Sequence, residues 1–180
     1  MPLCLWPPGE TGSESDALVA RPFGTAMSDL VVDFGEPPNA VIDDVLRCCV
    51  SRPDGSAIDA AEIADWHLAK RRQGLLAVAV ATRGPRRVVT TSCDASACGE
   101  MLDLELDLSA FRKDWRTDDV PFDTGRLRLP RPADLAMLGT NPPERLAQIL
   151  FEGAPPGQQN WEAQAEAVLS AADPLGDLEL

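Results

Sequence analysis

The sequence predicts an α+β fold: a small antiparallel sheet with several short helices packed on it. Three observations carry the prediction. "MLDLELDLSA" sets Leu102, Leu104, Leu106 and Leu108 against Asp103, Glu105 and Asp107, the period-two alternation of a half-buried antiparallel strand. Helical spacing of apolar residues precedes this strand and returns after Pro132. A chain of 180 residues, 44% hydrophobic, holds one ordinary core and is too short for two comfortable domains. With no Tyr, that core is built mainly of Leu, Val and Ala.

Residues 1–36 read as a flexible N-terminal arm, and residues 37–180 as a single α+β domain. The arm is densest in Pro, Gly and Ser over residues 1–27 ("WPPGETGSESD"), a composition that buries too little surface to offset its own ordering entropy. Leu5 and Trp6 are large apolar groups stranded in it, which makes them candidate partner-binding anchors. A short apolar piece, "LVVDF", is stopped by "GEPPN".

Asn39 is placed to cap a helix with Val41, Ile42, Val45, Leu46 and Cys49 on one face, so Cys49 reads as a small core residue. "SRPDG" is a turn, and Ser56 and Asp59 have capping-box spacing before a short helix carrying Ile63 and Trp66. A further helix is expected from about Ala69, burying Leu75, Leu76, Val78 and Val80 and ending before Gly84-Pro85. Then come "RRVVTTS", the alternating strand, and a third strand at "RLRLP", with the polar loop "FRKDWRTDDVPF" between. Helices are expected after Pro132, from Asn141 through Phe151, and from about Trp161 to Ala172.

Charge and cysteine usage narrow the function classes. A net charge of −13, from 29 acidic against 16 basic residues, argues against nucleic acid as a partner, because phosphate binding relies on paired Lys and Arg. Lys70, Arg71, Arg72, Arg83, Arg86 and Arg87 do cluster, and read as a solvated face offsetting the acid elsewhere. No run approaches the ~18 apolar residues of a membrane helix, and "MPLCLWPPGE" lacks the pattern of a signal peptide. Five cysteines, two of them adjacent (Cys48 and Cys49), make a disulfide framework improbable and favour a cytoplasmic location.

Cys93 and Cys98 lie at the turn of the expected hairpin, where zinc knuckles place a thiolate pair. Tetrahedral zinc needs four ligands, and no second pair stands elsewhere in the chain, so the hairpin turn is read as structural and as holding no cofactor, zinc included. One histidine, His67, and the absence of a Gly-x-Ser-x-Gly element leave little for a hydrolase triad. Asp43-Asp44 and Asp118-Asp119 are sequence neighbours whose side chains point apart, poor acid/base pairs. The chain reads as non-enzymatic.

The order of the parts resembles the T4-type baseplate hub family of contractile phage tails and contractile injection systems, described as hub subunits or hub assembly chaperones. Members carry an Arg-Arg-Asp-x-Leu-Leu helix, matched by Arg71, Arg72, Leu75 and Leu76, and a Cys-Pro-x-Cys-Gly-Glu turn, matched by Cys98, Gly99 and Glu100. Leu104, Glu105 and Leu106 match a Leu-Glu-Leu strand, and Leu129, Pro130, Asp134 and Leu135 a Leu-Pro-x-x-x-Asp-Leu helix start. Two departures stand out: Ala95 occupies the place expected for the first cysteine, and Gln73 that of the aspartate. The resemblance implies a structural or assembly protein whose partners are baseplate hub or spike proteins, cytoplasmic or incorporated into a virion or injection particle. It also implies that Cys93 and Cys98 are the remnant of a metal half-site. The alternative is a zinc-ribbon-like adaptor or regulatory module in which the two cysteines bind metal with ligands from a partner. A cysteine-dependent enzyme is the third class considered.

Overall fold

The computed structural model describes residues 4–6, 18–93, 95, 98–108, 110, 119–122, 125–134 and 150–153. In chain order the strands and helices are β1 (Cys4–Trp6), β2 (Leu18–Ala20), α1 (Pro38–Cys49), β3 (Val50–Ser51), α2 (Ala60–Asp65), α3 (Leu68–Arg83), β4 (Arg86–Ser92), β5 (Met101–Asp107), β6 (Val120–Phe122), β7 (Gly125–Leu127) and β8 (Phe151–Gly153). Short 3₁₀ turns occupy Met27–Val31 and Pro132–Asp134. The fold is α+β, as expected, but the strands form three small antiparallel sheets: β1-β2-β3, β4-β5 and β6-β7-β8.

The main core gathers Leu18 and Ala20 of β2, Leu46 and Cys49 of α1, Val50, Ile58, Ile63, Trp66, and Ala77 and Val78 of α3. Helix α1 opens at Pro38, with Pro37 in the capping position, and not at Asn39. A proline suits the first helical turn because no intrahelical acceptor awaits its missing N–H. Asp59 caps α2 by accepting from the Ala61 amide at 3.1 Å. Helix α3 starts one residue earlier than expected, because the His67 ring acts as the cap: its Nδ1 accepts the Lys70 amide at 2.9 Å. Gly84, with φ of 85°, ends that helix in a conformation open to glycine.

Helix α3 also buries a different face from the one its leucines suggest. Ala69, Arg71, Gln73, Gly74, Ala77, Val78 and Ala81 point inward, while Leu75, Leu76 and Val80 are half-buried. Small residues let the helix lie close to the core, and Arg71 fills the remaining depth at 1% exposure. Its guanidinium pairs with Asp43 of α1 and donates to the Ile63 and Asn39 carbonyls. Arg71 therefore belongs to the core and not to a basic surface patch.

The arm reading fails over residues 18–36. Leu18, Val19 and Ala20 are buried, and β2 is the central strand of its sheet. Leu5 and Trp6 lie in β1, with Leu5 registered against Val19 and Trp6 against Leu18. The pairing ties the backbone of this segment to the chain's own sheet, and the anchor reading concerns the Leu5 and Trp6 side chains, which lie outside what the structure describes. The sequence pattern hid this because a three-residue strand carries little alternation, and its partner lies beyond a polar segment.

Two further corrections concern the strands. "RLRLP" does contain a strand, but β7 pairs with β6 and β8 and does not extend the β4–β5 hairpin. Phe151, expected on the apolar face of a helix, starts β8 and is registered against Leu127. Burial of Leu127, Leu129 and Leu150 at 0%, 1% and 1% explains why this pairing prevails over local helical spacing. The helices expected over residues 141–149 and 161–172, and residues 111–118 of the polar loop, lie outside the described residues.

Candidate interaction surfaces

The β4–β5 hairpin runs in unbroken register from Arg86 against Asp107 to Ser92 against Met101. Its base is tied by the Leu108 amide donating to the Pro85 carbonyl at 2.8 Å, and its tip by the Cys93 amide donating to Glu100 at 2.8 Å. The register places Arg87, Val89 and Thr91 on the same face as Leu106, Leu104 and Leu102. The opposite face carries Val88 and Thr90 with Met101, Asp103 and Glu105, and there the Thr90 hydroxyl donates to Asp103 at 2.7 Å. The alternation is therefore real, but its burial is not. Leu102 is 44% exposed, Leu104 46% and Val89 44%, while Val88 and Met101 on the other side reach 67% and 65%. No third strand among the described residues pairs with this hairpin.

At the tip, the Cys98 amide donates to the Ala95 carbonyl at 3.0 Å, and Gly99 turns the chain at φ of 61°. Cys98 is exposed and Cys93 half-buried, both free thiols. Two thiols meet half of zinc's tetrahedral requirement. Among the described residues no group of three or more His, Cys, Asp or Glu side chains gathers closely enough to hold a metal. The Nδ1 of His67 is already engaged by the Lys70 amide.

On α1, Cys49 is buried and Cys48 half-buried. Burial pushes the Cys49 thiol up to about 11, and burial likewise raises Cys48, whose Sγ lies 3.2 Å from the Ser28 carbonyl. Both stay protonated near neutrality, which suits packing and not nucleophilic attack. The neighbouring acids are separated too: Asp43 pairs with Arg71, and Asp44 with Arg47 at 2.8 Å.

A second surface was not anticipated. Asp29, which stands just before "LVVDF" and drew no expectation from the sequence, is buried within the loop that connects β2 to α1. Its Oδ2 accepts from the Gly24, Thr25 and Ala26 amides at 2.8, 3.0 and 3.1 Å. The Arg21 guanidinium closes on both carboxylate oxygens and also donates to Ser28 and the Cys48 carbonyl. These hydrogen bonds, that from Arg21 first, hold the Asp29 carboxyl well below the usual range. Outward from this pinned loop project Met27, Leu30, Val31 and Phe34, between 62% and 81% exposed. Arginine before a turn and aspartate inside it was the available signal, but nothing in the spacing said that they meet.

No protein-family model, curated protein or solved structure significantly matches the chain. Among the described residues, no helix is long and apolar enough to cross a membrane.

Proposed function

We propose that this protein is a non-enzymatic structural or assembly protein of a contractile-tail baseplate hub, acting by protein–protein contact. The observation that supports this reading is the β4–β5 hairpin, which leaves Val89, Leu102 and Leu104 on one exposed face. Exposed apolar side chains gathered on one element mark docking sites more often than chance scatter. A hairpin that pairs with no other strand among the described residues also offers a partner strand main-chain hydrogen bonds. The motif resemblance supplies the identity of the assembly, and the hairpin supplies a means of joining it.

Co-expression with hub and spike proteins from a contractile tail tests the proposal. A complex should co-purify with the native chain and be lost with Leu104→Asp while the variant keeps its melting temperature. Absence of any complex with these components would remove the hub assignment.

The zinc-ribbon-like adaptor is the second reading, favoured only by the placement of Cys93 and Cys98 at one turn. One tightly bound zinc per chain, with unfolding on chelation, would install it. The hub reading expects substoichiometric zinc and an unchanged thermal midpoint after chelation.

A further inference from the structure

The geometry points to a second, separate docking site: the ridge of Met27, Leu30, Val31 and Phe34, which fits an apolar groove in another protein whose rim carries Lys and Arg. The site is distinct from the hairpin and stands whichever assembly the protein joins.

The loop is built to hold these four side chains outward. On a 3₁₀ turn, positions three apart align, so Met27 and Leu30 share one side with Val31 beside them. Asp29 takes the inward position at 5% exposure. Phe34, three residues beyond Val31 and also exposed, sits edge-on to Phe23, with ring centroids 5.9 Å apart. A buried carboxylate, three amides and an arginine order this loop while leaving these apolar groups mostly exposed on the lone chain. This lowers the ordering cost when a partner covers them.

Charge selects the partner. Between Pro22 and Leu46, Asp29, Asp43 and Asp44 pair with Arg21, Arg71 and Arg47, and Asp33 and Glu36 are the remaining charges. Asp33 and Glu36, exposed beside Phe34, set an acidic rim, so the complementary surface is basic at its edges and apolar at its centre. A second copy is disfavoured because two ridges face to face bring like charges together. An anionic membrane is disfavoured by the same carboxylates.

Site-specific photo-crosslinking in the cells that make the protein tests this. A benzophenone amino acid replaces Leu30 in one full-length variant and Met27 in another, with exposed Asp54 as the control position. Both ridge positions should crosslink to one protein at least tenfold above the control, within an apolar segment flanked by Lys or Arg. Adding Asp33→Lys and Glu36→Lys should cut that yield several-fold without lowering the melting temperature. Crosslinks to a second copy, to lipid or to an acidic segment would overturn the proposal, as would yields no higher than at Asp54. A crosslinked partner that is not a tail component leaves the ridge standing and removes the hub assignment. A hub component captured only through the hairpin does the reverse.

Discussion

Arg21 and Asp29 face each other inside the loop between β2 and α1, the aspartate side chain 2% exposed and the arginine 25%. This pair couples loop geometry to acidity. An unfolded aspartate titrates near ~3.9, whereas the folded Asp29 carboxyl is held well below that value, first by Arg21 and then by the backbone amides. As pH falls past ~3.9 the unfolded chain binds a proton that the folded chain refuses, so stability drops. The contribution is complete above about pH 5 and is lost as pH falls through the folded value. Asp134 acts in the same direction: burial pushes its carboxyl up, but Arg128 and the Arg131 amide outweigh it. We expect acid unfolding with a slope that shrinks in Asp29→Asn, whose stability at pH 7 should fall by about 3 kcal/mol. Urea titrations between pH 7 and pH 3 measure both. Parallel pH profiles for the two proteins would mean that Asp29 is not held as described.

The thiols should separate by environment. Cys98 is exposed at the hairpin tip, and Cys49 is 2% exposed with its thiol pushed up to about 11. Alkylation followed by peptide mapping should label Cys98 first, Cys93 next, and Cys49 only on unfolding. A raised folded thiol pKa stabilises below the unfolded value of 9.0 and loses that contribution as pH rises toward about 11. Alkaline stability should therefore decline over that window and flatten in Cys49→Ala. Early labelling of Cys49 under native conditions would contradict its place in the core.

For the hairpin, the structure reverses what alternation suggests. Burial of one leucine face would make Leu104→Asp cost several kcal/mol. At 46% exposure we expect it to cost less than about 1 kcal/mol, close to Glu105→Ala, with the penalty appearing in partner binding instead. Chemical denaturation of both variants decides. A loss of several kcal/mol at Leu104 alone would show that this face is buried within the protein itself.

The contrast shows what was legible. The end of α3 was, because Gly84-Pro85 acts through local backbone chemistry, whereas the helix starts were not: Pro37, Asp59 and the His67 ring take the capping places in which Asn39 and Ser56 were expected. Strand existence at β4, β5 and β7 was legible for the same reason. What faces each strand was not: alternation says that two faces differ but not that anything covers the apolar one. Nor was β8, because Phe151 is held by Leu127, a partner that local spacing does not reveal. The Asp29 site was hidden for a similar reason, since its amides come from residues whose types carry no signal.

Truncation tests the reassignment of the N-terminal segment. A free arm would leave the melting temperature unchanged when residues 1–27 are deleted. The structure instead puts Leu18, Val19 and Ala20 in that segment at 5%, 9% and 0% exposure, together with Arg21, which holds Asp29. Deleting them opens the core against Val50 and strands a buried carboxylate, each costly on its own. We expect the truncated protein to lose cooperative unfolding or to melt at least 10 °C lower. A shorter deletion, residues 1–10, removes β1 and exposes the edge of β2, and should lower the melting temperature by a few degrees. Calorimetry on the two truncations gives the order. If removal of residues 1–27 left the midpoint in place, β2 would not be the central strand of its sheet.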